Sequence, residues 1–212
     1  MIDAIILDVD GTLWDTTGLA AEVWTRAAKT CGFEDKVITA DQLKQLFGKP
    51  MDVIVNAIFP GVDPATADRI FTLCCEYEEE MLDNLKEDLT YEGVVDAIKN
   101  SDLPVAIVSN CQSGYIEQFM ANTDTTAYVV DTECFGNTGE GKAENLRRII
   151  ARNGWEHPVY VGDTAGDLQA CQDAGVPFIW CSYGFGQIDP RDAIGVADTF
   201  ADVWDIIKYV EI

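Results

Sequence analysis

Histidine is almost missing from this chain of 212 residues; His157 is the only one. That excludes zinc sites built on several imidazoles and argues against a Ser-His-Asp triad. Positive charge is scarce too. Lys and Arg number 14 against 37 Asp and Glu, a formal net charge of -23. Binding to nucleic acid or to an anionic membrane surface depends on clustered Lys and Arg, and no basic block is longer than Arg147-Arg148. Neither partner is expected. No apolar run approaches the ~20 residues of a membrane span. The N-terminal string MIDAIILDVDG has no basic stretch ahead of its apolar one, so it does not read as a signal peptide. No CxxC occurs among the seven cysteines, an odd number. Reduced thiols and a cytoplasmic setting are the expectation.

What is present suits a globular fold. Hydrophobic residues make up 48% and charged residues 24%, and a chain this long buries roughly 70% of its unfolded surface. Five short apolar runs stop at polar residues: 4–8, 104–109, 127–131, 158–163 and 177–182. They are β-branched and aromatic without alternation, as in strands buried on both faces. Helical patterns at 113–122, 141–154 and 165–175 separate the last four. Strands alternating with helices imply right-handed crossovers, hence an α/β fold with a doubly wound, Rossmann-like parallel sheet. About 90 residues separate the first two strands, too many for one crossover. Helix signals fill them. Thr39 and Gln42 match a capping box, Asp63-Pro64 reads as an N-cap before a first-turn proline, and Gly48-Lys49-Pro50 and Pro60-Gly61 break helices. Residues 17–84 are expected to form an inserted helical domain, and 1–16 with 85–212 the core. Residues 91–100 should return as a helix to the sheet.

Ligands of open parallel sheets bind at the carboxyl ends of the strands. The polar stops should gather there, bringing Asp8 and Asp10, Ser109 and Asn110, and Asp163 and Asp167 to one edge. A strand-end Asp is commonly a turn former or helix cap. That accounts for one such residue but not for four flanking a Ser-Asn pair. Carboxylates packed this closely raise one another's pKa unless a cation intervenes. A hard cation with oxygen ligands, of which Mg²⁺ is the natural candidate, resolves the conflict.

The string Asp8-Val9-Asp10-Gly11-Thr12-Leu13 resembles the first motif of the haloacid dehalogenase-like hydrolase superfamily, mostly Mg²⁺-dependent phosphatases. Three further motifs follow in order. Ser109 after an apolar run resembles the second, Lys142 near a helix start the third, and Gly162-Asp163-Thr164-Ala165-Gly166-Asp167 the fourth. Many members have Lys-Pro at the third motif, where this chain has Lys142-Ala143. Lys99 and Lys49 are alternatives, and Lys142 is preferred for its place between the third and fourth strands. A helical cap inserted after the first motif is also a family arrangement.

The resemblance implies roles. Asp8 would attack phosphorus to form an aspartyl-phosphate, and Asp10 would act as general acid and then base. Mg²⁺ would be held by Asp8, the Asp10 carbonyl and Asp163, with Asp167 acting through water or Lys142. Ser109, Lys142 and backbone N–H groups near Gly11, Thr12 and Asn110 would surround the phosphoryl oxygens. The expected activity is hydrolysis of a small phosphorylated metabolite, by an enzyme resembling phosphoglycolate phosphatases, as a monomer or weak homodimer. Dehalogenases lack the second Asp of the first motif, which is present here. A phosphosugar mutase of the β-phosphoglucomutase type is an alternative, but its cap His and Arg are absent from 18–21 and 48–51. A regulatory binder that keeps the fold without turnover is another. A receiver domain would be about 120 residues, without the insertion.

Other residues read more plainly. Trp14 should pack, and His157 should lie in a loop. Lys49 should end a helix, and residues 183–186 should turn beside the site. Cys74-Cys75 should be half core and half surface. The run Glu76, Glu78, Glu79, Glu80 reads as a solvated helix face.

Overall fold

The computed structural model describes residues 1–210. Strand β1 (Ala4–Leu7) is followed by helices α1 (Thr17–Thr30), α2 (Ala40–Lys44), α3 (Met51–Ile58), α4 (Pro64–Asp83) and α5 (Val94–Lys99). Then come β2 (Val105–Ser109), α6 (Tyr115–Asn122), β3 (Val129–Cys134), α7 (Phe135–Thr138), α8 (Lys142–Asn153), β4 (Pro158–Gly162), α9 (Ala165–Ala174), β5 (Phe178–Cys181), β6 (Gly195–Ala197) and α10 (Asp202–Tyr209). The strands form one sheet in the order β3-β2-β1-β4-β5-β6, and every pairing is parallel. This is the expected doubly wound α/β core. Strand order reverses at β1, beside β4, which is where such sheets open a crevice for ligand.

The apolar runs work because strand side chains alternate between faces. Ile5 and Leu7 of β1, Val105 and Ile107 of β2, and Val159 and Val161 of β4 join one buried cluster. Their neighbours Ile6, Ala106, Val108 and Tyr160 join a second cluster on the opposite face. A central strand covered on both sides has no solvent face to mark with polar residues.

A third buried cluster lies apart from the sheet. It gathers Trp24 and four alanines of α1, Leu43 of α2, Met51, Ile54, Val55 and Ile58 of α3, and Ile70 and Cys74 of α4. The local signals act as read. Thr39 and Gln42 form the reciprocal capping box. The Asp63 carboxylate accepts the Thr66 N–H at 3.1 Å ahead of Pro64. Cys74 is buried and Cys75 half-buried.

Several boundaries differ from the sequence reading. The third strand lies at Val129–Cys134, later than 127–131, because its edge position tolerates polar side chains. Asp131 and Glu133 of that strand pair with Arg152 at 2.7 and 3.1 Å. The helix sought at 91–100 starts at Val94, after Gly93 in a left-handed conformation. Strand β6 and helix α10 carried no signal in the apolar-run pattern; β6 is three residues long. Among the described residues, no helix is long and apolar enough to cross a membrane.

Ile6 is fully buried in the central strand. Ile6→Ala should cost about 2–5 kcal/mol, seen as a lower urea midpoint with an unchanged slope. Val37→Ala, at a residue 63% exposed, should move stability by less than about 0.5 kcal/mol.

Candidate active site

Asp8 follows β1 directly and is 1% exposed. Neither of its carboxylate oxygens has a hydrogen-bond partner. Lys142, the first residue of α8, places Nζ 2.9 Å from Asp8 Oδ1, an ion pair without hydrogen-bond alignment. The same ammonium also contacts Asp167 Oδ1. Burial alone would lower the Lys142 pKa, but Asp167 and Asp8 outweigh it and hold the group protonated, above its ordinary value. Lys142 therefore takes the central place, and Lys99 instead pairs with Asp124 at 3.3 Å on the surface.

Asp163 follows β4, the neighbour of β1. Its Oδ1 accepts the Thr12 hydroxyl at 3.3 Å and its Oδ2 accepts the Phe185 N–H at 2.7 Å. No cation pairs with it among the described residues. Burial, Asp167 and Asp8 push its pKa well above the ordinary value. Asp167 is in the opposite situation. Burial opposes ionisation, but Lys142 and Thr164 hold its pKa below the usual carboxylate range. Its Oδ2 closes a capping box with the Thr164 N–H and hydroxyl at 2.9 and 2.7 Å. Carboxylate oxygens of Asp8, Asp163 and Asp167 lie within 4.8 Å of one another, all buried. Burial lifts Asp8 to about 6, against the pull of Lys142.

This donor set fits a hard divalent cation. It offers oxygens only, Asp8 Oδ2 has neither hydrogen-bond nor ion-pair partner, and one ammonium does not balance three acids. Space is reserved around it as well. A Cβ on Gly11, whose φ is +79°, would fall 2.3 Å from Asp163 Oδ2. A Cβ on Gly184 would fall 2.3 Å from Asp163 Cβ. The loop 183–186 does turn beside the site, where the Tyr183 hydroxyl also donates to the Thr12 carbonyl at 2.7 Å.

Asp10 stands apart from the three acids. Its Oδ1 accepts the Tyr115 hydroxyl at 2.6 Å and, more weakly, the Thr16 hydroxyl at 3.5 Å. Burial lifts its pKa to about 7, against the Tyr115 hydrogen bond. A carboxyl held in one orientation with such a pKa can give or take a proton near neutrality. Trp14 packs, edge-on to Tyr115 and Phe119 at 5.6 and 5.1 Å.

Ser109, at the end of β2, and Asn110 line a cavity of about 30 Å³ together with Asp10, Tyr115, Lys49 and Glu78. Asn110 Nδ2 donates to the Gly48 carbonyl at 2.8 Å, which ties the helical insertion to the sheet. The N–H groups of Gly11 and Thr12 do not face this cavity as free donors. They donate to the Trp14 and Val9 carbonyls at 3.0 and 3.2 Å, because the turn after β1 consumes them. Both residues instead serve Asp163.

Three neighbours escaped the sequence reading. Tyr115 and Gln112 follow Ser109 without any motif to mark them. Glu78 was expected on a solvated face. Glu76, Glu79 and Glu80 are exposed, but Glu78 is buried. It accepts hydrogen bonds from Trp24 Nε1 and from Gln112 Nε2, the latter at 2.8 Å. The spacing held the signal, since Ile70, Cys74, Glu78 and Leu82 share the buried face of α4 at four-residue steps.

Comparison with known proteins places the chain in a family. Residues 5–181 match the family model for haloacid dehalogenase-like hydrolases. A phosphoglycolate phosphatase of Rhodobacter capsulatus is 26% identical over 95% of this chain and 94% of that protein. One from Vibrio vulnificus strain YJ016 is 24% identical over 97% and 96%. Among solved structures, a predicted phosphoglycolate phosphatase from Haemophilus somnus superposes with a TM-score of 0.85 at 18% identity, covering 97% of this chain and 98% of that one. CbbY from Rhodobacter sphaeroides, solved in complex with phosphate, gives 0.81 at 17% identity with 96% of both chains covered. With most of its length matched by the family model, the chain belongs to the haloacid dehalogenase-like hydrolases.

Proposed function

We propose that this chain is a Mg²⁺-dependent phosphatase that hydrolyses a small phosphorylated metabolite through an aspartyl-phosphate on Asp8. The observation that carries the reading is the Asp8 carboxylate, buried and ion-paired with Lys142 at the sheet's switch point. An Asp8 oxygen attacks phosphorus while the bond to the leaving alcohol breaks. Asp10, oriented by Tyr115, protonates the departing oxygen. It then takes a proton from water, which attacks phosphorus and releases inorganic phosphate from Asp8. Lys142 faces the reacting carboxylate, and Ser109 and Asn110 supply polar contacts to the phosphoryl oxygens. Asp167 is a positioning residue, since its oxygens are occupied by Lys142 and Thr164.

Asp8, Asp163 and the Asp10 carbonyl would hold Mg²⁺. When bound, the ion offsets the repulsion between an anionic nucleophile and an anionic phosphate. Residues 17–84 act as a cap domain that opens to admit substrate and closes to exclude water. Its separate apolar cluster and its polar ties to the core, such as Asn110 to Gly48, support that role.

Asp8→Asn should lower Mg²⁺-dependent release of phosphate from p-nitrophenyl phosphate by more than about a thousandfold. Its melting temperature should be equal or higher, because a buried carboxylate is removed. A near-normal rate would overturn the assignment. Gly11→Ala should slow turnover by about ten- to a hundredfold through displacement of Asp163, measured as kcat with the same substrate.

Metal and pH are linked. Asp8 and Asp10 carry raised pKa values, about 6 and about 7, against 3.8 for an ordinary Asp. Between those values the native state binds more protons than the unfolded state, so metal-free stability should fall as pH rises from about 5 to 8. Protons compete with Mg²⁺ for the Asp8 carboxylate. Millimolar Mg²⁺ should therefore raise the melting temperature more at pH 8 than at pH 5.5. No shift at pH 8 would count against the metal site.

A further inference from the structure

Glu78 is the one acid of the helical insertion that turns inward to the cavity shared with Asp10 and Ser109. The row it occupies on α4 is otherwise Ile70, Cys74 and Leu82. Packing alone would place an apolar side chain there. Instead the position holds a carboxyl 4% exposed, with both oxygens engaged: one by Trp24 Nε1 of the same insertion, the other by Gln112 Nε2 of the core. An ionised carboxylate accepts about four hydrogen bonds, and these two leave lone pairs over for a ligand in the cavity. Asp10, a second acid, lines the same cavity. Among the described residues, Lys49 is the one cation lining the cavity, and it is exposed, where water already solvates its charge.

We propose that Glu78 sets specificity by accepting hydrogen bonds from an uncharged, hydroxyl-bearing leaving alcohol and by rejecting one that carries a carboxylate. A hydroxyl donates to the spare lone pairs. A carboxylate has no proton to offer, and it would bring a second anion beside the ionised Glu78. Gln112 links the two halves of the pocket through Glu78, so this selection operates where the insertion meets the core. The inference rests on the phosphatase reading above and narrows its substrate class to small polyol or sugar phosphates, away from the phosphoglycolate after which several relatives are named.

The test compares kcat/KM of the intact protein with Mg²⁺ at pH 8 for p-nitrophenyl phosphate, glycerol 1-phosphate and 2-phosphoglycolate. Glycerol phosphate should be preferred over phosphoglycolate by at least tenfold. Glu78→Gln keeps the shape and removes the charge; it should narrow that ratio at least fivefold, with folding checked by circular dichroism. Turnover of p-nitrophenyl phosphate together with a preference for phosphoglycolate overturns this inference alone. So does a ratio that Glu78→Gln moves by less than twofold. If Glu78→Gln does not fold, the wild-type ratio decides. Absence of turnover on all three substrates overturns the phosphatase reading and the inference with it.

Discussion

Too much negative charge is buried at one edge of the sheet. Asp8, Asp163 and Asp167 bring carboxylate oxygens within 4.8 Å of one another. At an effective dielectric constant of about 20, each such pair repels by roughly 3 kcal/mol. Three pairs approach the whole stability of a typical domain, about 5–15 kcal/mol. Lys142 relieves part of this by contacting two of the three. Asp163 receives only two hydrogen bonds, and its raised pKa reports the remainder. A divalent cation would offset the repulsion that remains. In the proposed reading, a divalent cation supplies the positive charge that this chain, with 23 more acids than bases, lacks at this edge.

The backbone around that edge is arranged to hold the conflict in place. Asp8 and Asp163 follow central strands whose side chains are buried on both faces, so the strands do not shift to separate them. Thr164 fixes Asp167 through a capping box, and Asp167 in turn fixes Lys142. Gly11 and Gly184 let two loops close around Asp163 where any Cβ would collide. Each of these residues serves the charge balance before it serves any ligand. That explains why the N–H groups of Gly11 and Thr12 are spent inside the turn instead of facing the cavity.

Much of this arrangement was legible in the sequence because it is local. Apolar runs of four or five residues ending in Asp or Ser mark buried parallel strands, and the doubly wound order then brings their ends together. Capping residues such as Thr39 and Asp63 act over three positions and were read correctly. What escaped was tertiary. Strand β3 lies at an edge, where pairing of Asp131 with Arg152 replaces hydrophobic burial, so polarity there did not mark a strand end. Tyr115 finds Asp10 across 105 positions of chain. Glu78 sits among other glutamates, and composition hid what its four-residue spacing from Cys74 and Leu82 disclosed.

The proton chemistry and the selection chemistry therefore draw on the same physical source. Burial raises Asp10 and Glu78 alike, each to about 7, and each is steadied by a neutral donor, Tyr115 for one and Trp24 for the other. Their partners belong to different apolar clusters, Tyr115 to one on the sheet and Trp24 to the one within the insertion. If the insertion swings away in the catalytic cycle, Glu78 moves with it, away from its Gln112 partner, and meets water. Asp10 keeps Tyr115, because both belong to the core. Separation of the two halves would then return Glu78 toward an ordinary carboxylate while leaving the proposed proton donor oriented, and closure would restore both pressures only around a leaving group able to donate hydrogen bonds to them.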